Sequence, residues 1–144
     1  MTKLITVCLI AIATISCKPK ADVNKVKEET MELHDVVMAN HGKIIDNQMK
    51  IDTLLKGLND LKAKFPAIDT AVEKAEMTML LENLVKAEES MNDWMHNFNA
   101  DYQNKLDTAI LNYYQKEYNK ISKVDQLYQN EIKKSSTYLA KFKK

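Results

Sequence analysis

Val23, Thr30, Val37, Ile44, Ile51, Leu58 and Phe65 stand seven residues apart, and Val26, Leu33, Asn40, Asn47, Leu54 and Leu61 follow them at three-residue intervals. That spacing keeps one stripe of a helix apolar and demands a second helical surface to cover it, as in a coiled coil. A strand, with its period of two, cannot present these residues on one side. Asn40 and Asn47 place two amides in the stripe, where a polar group sets register at some cost in stability. Unbroken, the helix would run about 60 Å at 1.5 Å per residue. Gly42, just after Asn40 and His41, is the expected place for a kink or break.

Phe65-Pro66 stops this first helix, because the residue before proline is pushed out of the helical region. Asp69 is placed to cap a second helix, with Glu73 in its opening turn. Its stripe reads Met77, Leu80, Leu84, Ala87, Met91, Trp94 and Phe98, widened by Leu81 and Met95. Residues 97–104 form the second turn. A third helix begins near Leu106, with Leu111, Tyr114, Tyr118, Ile121, Tyr128, Ile132, Leu139 and Phe142 on one face. Two Gly and two Pro in 144 residues leave little turn chemistry for a multi-stranded fold. The expectation is an all-α domain over residues 23–144, an antiparallel three-helix bundle running up, down and up. The alternative is an extended coiled coil that completes its core by self-association.

The first 22 residues have a different character. Met1-Thr2-Lys3 carries one cation, residues 4–15 carry none, and Ser16-Cys17 precedes the polar Lys18-Pro19-Lys20. A basic start, an apolar stretch and a small residue before the cut is the layout of an export signal. About 12 apolar residues fall short of the ~20 that a spanning helix needs, which disfavours an uncleaved anchor. Thr14-Ile15-Ser16-Cys17 resembles the lipobox of bacterial lipoproteins, with Thr14 standing where Leu, Val or Ile is usual. The resemblance implies a signal peptide over residues 1–16, lipidation of Cys17 and a lipidated tether over 17–22. Cys8 would leave with the signal, so the mature chain would hold no free thiol. The expected location is the cell envelope, lipid-anchored to the inner or outer membrane and facing the periplasm.

The 21 basic residues are all lysine, and losing Lys3 leaves 20 of them against 20 acids. A neutral chain without arginine carries no footprint for nucleic acid. No phosphate loop, dinucleotide fingerprint, nucleophile elbow or zinc-protease motif occurs in it. Adjacent acidic pairs such as Glu28-Glu29 and Glu88-Glu89 point apart on a helix. No catalysis is expected.

One constellation carries chemistry. Met31, His34, Met38 and His41 are spaced three, four and three apart, which puts them on one stripe of the first helix. The second helix adds Met77, Met79, Met91 and Met95, with Trp94 and His96. Thioethers and imidazoles suit soft Cu(I) or Ag(I), whereas the structural reading is a core filled by adaptable methionine. Leu33-His34-Asp35-x-x-Met38, together with Glu88-x-x-Met91-x-x-Trp94-Met95-x-x-Phe98, resembles a group of small Bacteroidota lipoproteins often labelled "viral A-type inclusion protein". The likeness covers the first two helices and lends no settled function. Where that group has a Pro-containing segment ending in Met-Gly, this chain has Ala39-Asn40-His41-Gly42, so His41 departs from the pattern.

An antiparallel hairpin brings His34 and Met38 towards Trp94 and Met95. The chain then reads as an envelope scaffold or interaction protein with a protein partner or self-association. The alternatives are a lipoprotein that binds or buffers Cu(I), and a site for lipid or a small apolar ligand near Trp94.

Overall fold

A computed structural model describes residues 22–143. The expected signal peptide, Cys17 and the expected tether up to residue 21 lie outside the described residues. Four helices follow in order: α1 (Val23–Lys56), α2 (Leu58–Lys64), α3 (Thr70–Asn97) and α4 (Asp107–Ala140). No strand occurs among the described residues. Asp22 caps α1 by accepting from the Asn24 amide at 2.9 Å. Asp69 caps α3 by accepting from Ala71 and Val72, with Glu73 in the first turn as expected. Pro66 ends α2 by holding Phe65 at φ −127°, ψ 75°.

The break in the first helix is at Gly57, not at Gly42. Residues 23–56 are helical throughout, and the Leu61 amide resumes helical bonding to the Gly57 carbonyl at 2.9 Å. A mid-helix glycine costs only about 1 kcal/mol. Val37, Ile44 and Ile51, all fully buried around it, hold α1 to its neighbours, and burying each such side chain is worth ~1.5–3 kcal/mol.

Cross-helix contacts fix the directions. The His34 ring meets Trp94, and Gln48 donates to Glu88 at 2.9 Å, so α1 and α3 are antiparallel. Tyr138 donates to Glu73 at 2.5 Å near one end, and Trp94 faces Glu117 and Val124 near the other, so α3 and α4 are antiparallel as well. His41 pairs with Tyr128 and Asn47 with Ser135, at sequence separations of 87 and 88, so α1 and α4 run parallel. This is the up-down-up bundle that the periodicity predicts, with α2 as a short extension of α1.

The stripes of α1 and α3 are buried largely as the sequence reads. Leu61 on α2 and the α3 row from Met77 to Trp94 join Val37, Ile44 and Ile51 in one core. Two points differ. Asn40 turns back to its own Val36 carbonyl, and only Asn47 works across the seam, donating to Ser135 at 2.8 Å and Ser136 at 3.0 Å. On α4 the buried rows are Tyr114, Ile121, Tyr128 and Ser135, and beside them Glu117, Val124, Glu131 and Tyr138. Tyr118 points outward, because the true seam accepts two glutamates that an apolar template passes over.

Gly42 has open space where a side chain would sit, whereas a Cβ on Gly57 would lie 3.3 Å from the Thr53 carbonyl. Gly42→Ala is therefore expected to stabilise the bundle by roughly 0.5–1 kcal/mol in chemical denaturation, and Gly57→Ala to gain less.

Candidate functional site

Spacings of three and four put Ser90, Asp93, Trp94 and Asn97 on one flank of α3, and Glu117, Lys120 and Val124 on the facing flank of α4. Together they line an open groove of about 400 Å³. Trp94 forms its inner wall. Its ring lies 5.6 Å from His34 on one side and stacks on Phe98 at 4.6 Å on the other. Phe98 continues to Tyr113 at 6.3 Å, and Tyr113 stacks on Tyr102 at 4.2 Å. An aromatic column thus runs from α1 across the bundle into the α3–α4 loop.

The polar side of the groove is incompletely satisfied. Glu117 is only 3% exposed, and its Oε1 accepts from Lys120 Nζ at 2.7 Å. Its Oε2 and Trp94 Nε1 have no hydrogen-bond partner. One is an acceptor and the other a donor, and both atoms are sealed from the open groove. Two heptads along α4 the pattern repeats: Glu131 Oε1 accepts from Lys134 at 2.8 Å, and Oε2 is unpaired. The surface that the groove exposes is more apolar than polar, with Ser90, Asp93, Asn97 and Lys120 around Trp94.

The Met/His stripe is divided by the fold. His34 meets Trp94 as the hairpin geometry predicts, and its Nδ1 lies 2.9 Å from Asp35 Oδ1. His41 shares a 3.0 Å hydrogen bond between Nδ1 and Tyr128 Oη, with the two rings stacked. Met91 is fully enclosed in the core, Met31 is half-buried, and Met38 and Met95 are exposed. Among the described residues no three His, Cys, Asp or Glu side chains group as metal ligands. The structure brings His34 and Trp94 together, but it ties His41 to α4 and buries Met91.

Sequence reasoning missed Glu117, Glu131 and the hydroxyl of Tyr128. Their signal is the α4 row at 117, 124, 131 and 138, a seven-residue spacing with acids at two of its four places. Tyr128 is fully buried. Its hydroxyl is pushed up to about 12 by burial first and by the nearby Glu88 carboxylate second. Burial and the Glu73 carboxylate raise Tyr138 as well.

Comparison of the chain with protein-family models, with curated proteins and with solved structures finds no match.

Two outcomes follow from this chemistry. Tyr128 stays neutral in the fold at a pH where the unfolded chain already ionises it, so its contribution is complete below pH 10. That contribution is lost as the pH rises from about 10 to about 12. Tyr128→Phe is expected to flatten the fall in stability across that window, measured against wild type in urea at stepped pH. Glu117→Met replaces a half-paired buried carboxylate while Lys120, largely exposed, keeps its water. It is expected to stabilise by about 1 kcal/mol. A loss above roughly 2 kcal/mol, read from the same denaturation curves, would show that the carboxylate holds the fold.

Proposed function

We propose that this chain is a membrane-anchored envelope lipoprotein. Its helical domain is a non-catalytic scaffold that offers a docking surface to a protein partner well away from the bilayer. The export layout ending at Cys17 supports the anchor, and so does the resemblance carried by His34, Met38, Met91, Trp94 and Met95. The observation that carries the scaffold reading is a group of strongly exposed apolar side chains remote from the anchor. Met49, Val72 and Met79 are 65%, 59% and 55% exposed. All three sit in the half of the bundle remote from Val23, since α3 starts where α1 ends.

Two grooves open in that half. One of about 450 Å³ between α1 and α4 is lined by Met49, Leu54, Leu139 and Phe142, with Lys50 and Lys143 at its sides. A second, between α3 and α4, takes in Met79, Leu80 and Tyr138. Apolar side chains rimmed by lysines are the composition of a protein-docking patch. At 1.5 Å per residue the 34 residues of α1 set this end about 50 Å from the anchored one.

The experiment is photo-crosslinking in intact cells from position 49 or 79, with position 123 on exposed α4 surface as the reference. Discrete products are expected from 49 and 79 and none from 123. Equal products from all three would remove the docking reading. Cys17→Ala is expected to move the protein from the membrane fraction to the soluble fraction and to weaken both products. For the Cu(I) alternative the measurement is a titration of the chain lacking residues 1–17. Stoichiometric Cu(I) lost in His34→Ala with Met38→Ala would favour it over the scaffold.

A further inference from the structure

Leu106 is 79% exposed and occupies the N-cap of α4, where it makes no side-chain capping bond. Ser, Thr, Asn or Asp at such a position stabilises a helix by about 1 kcal/mol. The chain forgoes that and also leaves a leucine in water, so nothing within the fold accounts for the residue. Its position along the bundle supplies an account.

The contacts of His41 with Tyr128 and Asn47 with Ser135 set α4 positions 87 or 88 ahead of their α1 neighbours. Val23 is therefore level with residue 110 or 111, and Leu106 projects beyond the start of α1 by about four residues, or roughly 6 Å. That is the end of the bundle from which the chain leads back to Cys17. Six residue steps separate Cys17 from Val23, and even fully extended they reach only about 20 Å. Any surface that holds an acylated Cys17 is thus within reach of Leu106.

Side chains around Leu106 suit such a surface. Lys105 is exposed beside it, and Tyr102 is stacked on Tyr113, at the end of the aromatic column that backs the loop. An aliphatic tip with a lysine and a tyrosine is what the headgroup region of a bilayer accepts. The charges nearby, Asp22, Asp101 and Asp107 against Lys18, Lys20 and Lys105, cancel, which suits a zwitterionic surface.

We propose that Leu106 is a second membrane contact: it enters the zwitterionic headgroup boundary of the bilayer that holds Cys17, and the bundle stands on its α3–α4 loop. This rests on the lipoprotein reading, and the experiment separates the two. Full-length lipidated protein is reconstituted into vesicles of phosphatidylethanolamine and phosphatidylcholine. An environment-sensitive fluorophore is placed at Leu106→Cys or, at the far end, at Met79→Cys. The label at 106 is expected to shift to the blue and to be quenched several-fold more by spin-labelled lipid than the label at 79.

In a Lys105→Cys background the label is expected to shift in the same way, and adding Leu106→Asp to abolish the shift. Replacing half of the lipid by phosphatidylglycerol is expected to leave it unchanged. Protein that sediments with the vesicles while the 106 label stays as water-exposed as the 79 label would overturn the contact alone. A larger shift with phosphatidylglycerol would overturn its assignment to a zwitterionic surface. Wild-type protein that stays in the supernatant like Cys17→Ser would overturn the anchor and the contact together.

Discussion

The hydrogen bond from Asn47 to Ser135 governs more of this structure than its size implies. Rows of Val, Ile, Leu and Met spaced by seven are nearly indifferent to a slip of one heptad, because each knob finds a similar hole. A buried amide is not indifferent. Slipping α4 by seven residues would put Tyr128 or Phe142 opposite Asn47 in place of Ser135, at about 1–3 kcal/mol where the amide loses its partner. His41 would lose Tyr128 in the same step. The offset between α1 and α4 follows from these two contacts, and with it the height of the α3–α4 loop and the level of each groove. Apolar burial supplies the stability of the bundle, and one amide and one imidazole select among its registers.

How much of this was legible in the sequence follows the same division. The rows of α1 and α3 could be read residue by residue, from Thr30 to Leu61 and from Met77 to Trp94, because a period of 3.5 survives without knowledge of the partner. Asp69 and Pro66 marked their boundaries by local chemistry that needs no tertiary context. The failures have one cause. An apolar template places Tyr118 in the core of α4 and passes over Glu117 and Glu131, since it cannot see a carboxylate held at the core edge by a lysine three residues on. Gly42 attracts the break because its local cost is visible in the sequence, whereas the packing that overrides it comes from two other helices.

The candidate site was half legible for a related reason. Antiparallel pairing of the first two long helices suffices to bring His34 to Trp94, and it does. The groove beside Trp94 needs the register of α4 as well, which the sequence does not display until Glu117 and Val124 are recognised as members of a buried row. Of the four residues of the Met/His stripe, which share a helix face, His41 meets a tyrosine from α4 that the stripe alone could not foresee.

An odd number of long helices has a mechanical consequence. The two termini of the bundle lie at opposite poles, with α1 entering at one and α4 leaving at the other. A pull applied between an anchored N-terminus and a load at the far pole would draw the parallel helices α1 and α4 past each other along their whole shared length. Their contacts, from Lys27 over Tyr114 through Asn47 on Ser135 and Ser136, would bear that force in shear and together, where a hairpin pulled from one pole would unzip contact by contact. The fold is in that sense a tie rod, stiffest along the axis that joins its two ends.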